Sequence, residues 1–452
     1  MEQLKDDLTD KIIRFSDCYI LKDEGLIRDD LWVRNGRFID GQKLFFSERK
    51  QADIIFHLKG CVISPGFIDI QVNGGYGYDF SDPSACISDV CFQIARRLPE
   101  TGVTSFCPTI ITSSRHTYGE IISQFGAYED RAGCARMLGL HLEGPFISKL
   151  RSGMHPLNRI IEFGDDPIET LIETYGNCMD PVRIVTVAPE LHGCCAVISR
   201  LVSKNIVVSV GHTDADCAAL EQAITAGATF MTHLFNCMPI FHHRSAHIFG
   251  GIINPDPPLY VGLIADLVHL HPAALRVADA IAPGHVILVT DALVAFGLPD
   301  GSYTFGEQNI EVKDGKAYLA GTDHFAGGTT PLSTCIRNFW LEVCRPKHSK
   351  TDSPNDVSPW PGLGEALAAA STRPARGLRL YQKPSMLKDA TNSSSSDLVR
   401  GALVPGADAD FVILRPESSG STEKSKLDVL STWIAGKPVF TAPNVNFCII
   451  YR

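Results

Sequence analysis

The sequence predicts an α/β protein: a closed (β/α)8 barrel of the TIM type, carrying a small β-sandwich domain formed from both chain termini. Three observations predict it. Through the middle of the 452-residue chain, eight apolar runs alternate with polar tips and helical stretches. Several of these runs are apolar at nearly every position, as parallel strands covered on both faces must be. Both ends of the chain read instead as short strands punctuated by turns, which suits one accessory domain shared between them.

Taken in order, the first sixty residues offer strands at 18–21, 31–33, 37–39 and 54–58, with turn signals at Asn35-Gly36 and Asp40-Gly41. The eight barrel strands are expected at 62–72, 103–110, 137–142, 182–187, 206–210, 228–232, 259–265 and 286–290. Intervening helices are expected at 88–100, 117–130, 192–204, 216–226 and 272–282. The terminal strands resume at 411–414, 429–434 and 438–440, entered through Gly406-Ala407-Asp408-Ala409-Asp410. The expected limits are therefore 1–63 and 401–452 for the sandwich and 64–400 for the barrel. Residues 345–361, rich in Pro, Ser, Asp and Lys, and 388–397, with four consecutive serines, read as flexible surface insertions without chemistry.

A composition of 44% hydrophobic and 20% charged residues is that of a water-soluble globular protein. The net charge of -10 argues against nucleic acid or an anionic membrane as the main partner. A small anionic substrate is still allowed, because it answers to a local Arg/His cluster rather than to total charge. Residues 1–11 are acidic and lack the apolar stretch of a secretory signal, and no run approaches the roughly 20 apolar residues of a membrane span. Fourteen scattered cysteines without a CxxC pair read as free thiols in a reducing compartment, which makes the cytoplasm the expected location.

An active site on such a barrel lies at the C-terminal ends of its strands, so the residues just after each apolar run carry the chemistry. Those residues are Gln71 and Asn73, His141 and Glu143, His212, His233 and Asn236, Asp266 and His269, and Asp291. Singly, each has a plainer role as a cap or a satisfied core group. Together, Glu143, His212 and His233 supply a carboxylate and two imidazoles, the ligand set of a catalytic metal with one position left for water. His141 shares a strand face with Glu143 and reads as a supporting partner. Asp291 reads as the base that takes a proton from water and the acid that returns it to a departing amine. Two-metal hydrolases on this fold open with His-x-His after the first strand and use a lysine from the fourth. Here the first position reads Gln71-Val72-Asn73 and the stretch 183–190 has no lysine, so one metal is expected.

The motifs resemble a known family. Pro65-Gly66-Phe67-Ile68-Asp69 is similar to the opening motif of the amidohydrolase superfamily. Gln71-Val72-Asn73-Gly74-Gly75, His141-Leu142-Glu143-Gly144-Pro145-Phe146, Gly211-His212-Thr213, Thr232-His233-Leu234-Phe235-Asn236-Cys237-Met238 and Val289-Thr290-Asp291-Ala292 narrow it to the N-acetylglucosamine-6-phosphate deacetylases. The resemblance runs in order from about residue 12 to 440. It implies that Glu143, His212 and His233 hold one divalent metal ion per subunit, zinc by first expectation, and that Asp291 is the catalytic acid/base. It further implies substrate contacts. Met154 and His155 in Gly153-Met154-His155-Pro156 would lie near the acetyl group, with Asn236 and Cys237 along the sugar or phosphate. Asp266 and His269 would form another ligand contact, and Phe325-Ala326-Gly327 a loop over the sugar. Arg244 in His242-His243-Arg244 matches a phosphate-binding arginine lent by the neighbouring subunit, which implies a homodimer. The chain departs from the family at Met154, Cys237, Leu267-Val268 and Phe325-Ala326, which bears on substrate fit rather than on the metal set. The reaction implied is hydrolysis of N-acetylglucosamine 6-phosphate in amino sugar catabolism. Its rivals are an amidohydrolase for a cyclic amide or an unphosphorylated N-acyl sugar, and a non-catalytic barrel that serves as a binding protein.

Overall fold

The computed structural model describes residues 8, 10–253, 255–348, 358–381, 399–417 and 425–451. Eight parallel strands form the barrel: Phe67–Val72, Val103–Ile111, Leu140–Glu143, Val182–Val187, Val207–Val210, Phe230–Met231, Tyr260–Ile264 and Val286–Val289. A parallel bridge between Val72 and Ala292 joins the last to the first. The expected first strand at 62–72 is in fact two elements. Ile54–Pro65 belongs to the small domain and Phe67–Val72 to the barrel. The break falls at Gly66, where a Cβ would lie 2.1 Å from Thr104 Oγ1, so the Thr104 side chain leaves room only for glycine. The third strand is likewise interrupted, with Arg136–Met137 set apart from Leu140–Glu143.

Helices cover the outside at Ile87–Ala95, Arg115–Gly126, Cys194–Ser203, Cys217–Ala226 and Pro272–Ile281, each within a few residues of expectation. Further helices not expected include Pro167–Tyr175, Leu332–Phe339, Leu363–Ala369 and Thr372–Gly377, besides Gly41–Phe46 in the small domain. The first of these carries a plain start signal, since Pro167 occupies its first turn and the Asp166 carboxylate accepts the N–H groups of Ile168 and Glu169. Of the expected insertions, Arg345–His348 is helical rather than loop; 349–357 and 388–397 lie outside the described residues.

The period of two along the strands sorts the barrel interior into layers. The lower layer is apolar: Ile68, Ile184, Val207, Phe230 and Ile287 pack with Ala375 and Leu378 from the segment beneath. Two residues further up the same strands the interior turns polar. There His141 Nδ1–H donates to the Ile70 carbonyl at 3.0 Å, which leaves Nε2 to accept from the Thr186 hydroxyl at 2.8 Å. Thr186 and Thr232 hydroxyls lie 2.8 Å apart, and Thr232 lies 2.6 Å from that of Ser209. Every member of this chain is buried and paired, as a polar group in a low-dielectric core must be.

Both chain ends enter one nine-stranded sheet. Its long strand Ile54–Pro65 pairs with Cys448–Tyr451 over its first residues and with Phe411–Glu417 over its last. Around it Phe15, Phe56, Phe411 and Trp433 pack at ring-centroid distances of 5.0 to 5.5 Å. A further sheet of four antiparallel strands, Gly301–Phe305, Gln308–Lys313, Lys316–Leu319 and Phe325–Gly327, follows the last barrel strand and was not expected. Its inner residues Phe305, Ile310, Val312 and Ala317 pack with Ile111 and Met154, which sets it against the barrel's C-terminal rim.

Candidate active site

Glu143 closes the third strand, while His212, His233 and Asp291 each stand just past the end of theirs. All of the last three have positive φ: 48° for His212, 26° for His233 and 49° for Asp291. Side chains other than glycine pay about 1–3 kcal/mol for that conformation, and here it turns three functional groups over one rim. Glu143 Oε1 lies 3.2 Å from His212 Nε2 and 3.1 Å from His233 Nε2, and the two Nε2 atoms are 3.1 Å apart. All three residues are buried, and among the described residues this is the one Glu/His/Cys/Asp group with metal-ligand spacing.

The donor set fits a divalent cation. His212 Nδ1–H donates to the Arg151 carbonyl at 2.9 Å, which leaves Nε2 as a bare lone pair facing the other two ligands. A tetrahedral ion with bonds of about 2.0–2.1 Å would hold its ligand atoms roughly 3.3 Å apart, close to what is found. The charges agree. Burial opposes positive charge on both imidazoles, yet Cys237 and then Glu143 raise His212, and Glu143 raises His233, above their ordinary values. Burial would likewise raise Glu143, and the two imidazoles hold it well below the carboxylate range instead. A cation in place of the shared protons answers the same pull.

Around this centre a cavity of about 220 Å³ is lined by Asn73, Met154, His155, Asn236, Cys237, His269, Asp291, Phe325, Ala326 and Gly327. Its volume suits a small organic molecule rather than a single water, whose share of liquid is roughly 30 Å³. A larger cavity of about 380 Å³ lies between the small domain and the barrel, beside Trp32, Arg376 and Tyr381, far from any ligand set. His155 is buried with Nδ1 accepting the backbone N–H of Thr112 at 3.2 Å and its hydroxyl at 2.7 Å, so the ring proton sits on Nε2. Burial and the charge of His212 push its pKa down to about 3, keeping it a neutral donor. Burial, then the charge of Glu143, pushes Asp291 up to about 6, against the pull of His233, His269 and Asn73. His269 Nδ1–H donates to Asp266 at 2.7 Å; Asp266, though buried, is held below its ordinary value and stands behind His269 rather than on the cavity wall.

The cavity thus gathers the predicted metal and acid/base residues with eight of the predicted substrate contacts, Asp266 and Arg244 being the two it leaves out. Arg244 is exposed on the loop before the turn His247–Ile252. His141 is satisfied by Ile70 and Thr186 and gives no ligand atom. Three residues matter more than the sequence reading allowed. Gln71 Nε2 donates to Glu143 Oε1 at 2.9 Å and Asn73 Nδ2 to Asp291 Oδ1 at 2.7 Å, so the pair standing where His-x-His was sought holds the two carboxylates. Thr112, which fixes the His155 tautomer, directly follows the second strand, where the strand-end rule would have found it.

The barrel and its rim define a metal-dependent hydrolase class, and residues 62–383 match the model of the amidohydrolase family. The chain is 40% identical over 434 residues to N-acetylglucosamine-6-phosphate deacetylase of Bos taurus, covering 95% of this chain and 96% of that one. Its likeness to the Homo sapiens enzyme is 40% over 437 residues, covering 96% of each. A mutant N-acetyl-D-glucosamine-6-phosphate deacetylase from Mycobacterium smegmatis, solved in complex with N-acetyl-D-glucosamine-6-phosphate, superposes with a TM-score of 0.75 at 28% identity over 96% of this chain and 100% of that one. The Thermotoga maritima deacetylase superposes with a TM-score of 0.72 at 25% identity, over 95% and 100%. The chain belongs to the N-acetylglucosamine-6-phosphate deacetylases of the amidohydrolase family.

Proposed function

We propose that this chain hydrolyses N-acetyl-D-glucosamine 6-phosphate to D-glucosamine 6-phosphate and acetate, as a step of amino sugar catabolism. The observation that carries the reading is the convergence of Glu143, His212 and His233 beside Asp291 in one cavity. Glu143, His212 and His233 would hold one divalent ion, and two imidazoles with a carboxylate and an open position suit zinc. Such an ion, when bound, acidifies water and polarises a carbonyl oxygen. Asp291 takes a proton from the attacking water and delivers it to the amine nitrogen as the C–N bond breaks. His155 donates from Nε2 to the carbonyl oxygen as charge builds there. Met154, Asn236, Cys237, Phe325, Ala326 and Gly327 enclose the sugar, and His269, aimed by Asp266, binds it from the opposite wall.

Arg244 lies outside the cavity of its own chain, among exposed Ile240, Phe241 and Ile253, at 87%, 60% and 57% exposure. Exposed apolar side chains on the segment that carries Arg244 support a homodimer in which Arg244 reaches the partner's substrate phosphate. All fourteen cysteines are unpaired, which supports the cytoplasm as its place.

The test is acetate release from N-acetylglucosamine 6-phosphate and from N-acetylglucosamine, with metal content measured on the same protein. Turnover confined to the phosphorylated sugar, lost by about 10²–10⁴-fold in Asp291→Asn, is expected. No turnover of either sugar by metal-replete protein would defeat the reading.

A further inference from the structure

Asn73 has a second hydrogen-bonding atom beside the one that holds Asp291. Its amide must turn Nδ2 toward Asp291, because an ionised carboxylate only accepts, and that bond is 2.7 Å long. The orientation leaves Asn73 Oδ1 buried without a hydrogen-bond partner among the described residues, in a side chain only 3% exposed that lines the catalytic cavity. Orphaned buried acceptors cost about 1–3 kcal/mol and persist where something else completes them. Its backbone is not free to turn away. The Asn73 N–H donates to the Ala292 carbonyl at 2.7 Å, directly after Asp291, so both ends of the residue are tied to the segment that follows the eighth strand.

A water attacking a carbonyl has two protons and needs both directed away from the carbon. Asp291 accepts one. We propose that Asn73 is a positioning residue for the attacking water: Nδ2 fixes the Asp291 carboxylate while Oδ1 accepts the second proton's hydrogen bond, turning the water's lone pair toward the acetyl carbon. The inference rests on the deacetylase reading given above. No proton transfers to Asn73; one moves from water to Asp291 and then to nitrogen, and the other stays on oxygen. Asn73 holds no atom of the metal set, since Glu143 is held by Gln71 instead.

The experiment compares wild type, Asn73→Ala and Asn73→Asp on N-acetylglucosamine 6-phosphate and on its N-trifluoroacetyl analogue, with metal content determined by mass spectrometry. The expected result is kcat down about 100-fold in Asn73→Ala on the acetyl substrate, with KM within about threefold and metal content unchanged. The trifluoroacetyl carbonyl is more electrophilic and depends less on an aligned water, so the loss on it shrinks to about tenfold or less. Asn73→Asp keeps an acceptor but repels Asp291 and shows the same contrast between substrates. Equal losses on both substrates, or a fall in bound metal, would overturn the inference by making Asn73 merely structural. Full activity in both variants would overturn it as well. Failure of wild type on both substrates would instead defeat the deacetylase reading, so the two failures are distinct.

Discussion

Asp291 has to be ionised to accept a proton, and its surroundings set the pH at which that holds. Burial and Glu143 raise it to about 6, while a cation among the three ligands opposes both effects and can only draw it lower. The sign is therefore fixed: kcat/KM should be full at about pH 7 and fall tenfold per unit on the acid side, with a midpoint no higher than about 6. A profile of kcat/KM against pH checks this, and an acid limb centred above 7 would contradict it. At this scale the sequence was informative for residues that follow an apolar run, since strand ends point at the rim whatever the loops do. It was less so for Gln71 and Asn73, which it set at the rim and in the family motif but gave no role beyond standing where histidines were absent. Their work as amide donors to two carboxylates depends on distances between strands that no linear pattern contains.

The loop that brings His155 to the cavity passes so close to the metal set that one residue in it has no room for a side chain. A Cβ on Gly153, which sits at φ 58°, would lie 2.6 Å from Cys237 Sγ and 3.5 Å from His212 Cε1. Gly153→Ala is expected to cost about 1–3 kcal/mol and to weaken metal retention by displacing His212. Adding Cys237→Ala removes the sulfur and should recover both in part, the remainder being the strain of a left-handed alanine, about 1 kcal/mol. Thermal melts and metal content of the single and double variants check the pair; a double variant no better than the single one would place the clash elsewhere. Among elements, long apolar strands and amphipathic helices were legible because their periodicity is set by burial. The sheet 301–327 was not. Its strands bury alternate residues only, with charged Glu311, Lys313 and Lys316 facing out, so Ile310, Val312 and the Asp314-Gly315 turn carried a strand-and-hairpin signal fainter than the barrel's continuous apolar runs. Phe230–Met231 shows the reverse, where a run of apolar sequence yields only two residues of strand.

At the level of the whole molecule, the small domain is fastened to the barrel by a buried charge. Arg373, 1% exposed, donates to Glu24 at 2.8 Å and to the Val286 carbonyl at 3.3 Å. Glu24→Ala leaves that guanidinium with Glu365 at 3.7 Å as its one carboxylate among the described residues, and a loss of about 3 kcal/mol in unfolding free energy is expected from denaturant titration. The proposed dimer makes a different demand. Co-expressed Arg244→Ala and Asp291→Asn chains should regain measurable turnover in mixed dimers, because one of the two cavities then receives an intact base and an intact arginine. No recovery in verified mixed dimers would assign Arg244 to its own subunit. The small β domain built from both termini was legible as matching strand-and-turn styles at the two ends, while which strands pair was not, since pairing follows from side chains meeting across a long sequence gap. That gap has a consequence for how the protein is made. Arg37 donates to the carbonyl of Gly406, 369 residues away, and Ile54–Pro65 pairs with strands beginning at Phe411. At a synthesis rate of about 5–20 residues per second, the N-terminal strands wait on the order of 20–70 s for these neighbours to leave the ribosome. Through that interval their apolar face and open edges are the nascent chain's most exposed adhesive surface, and a chaperone that shields extended apolar segments would act there.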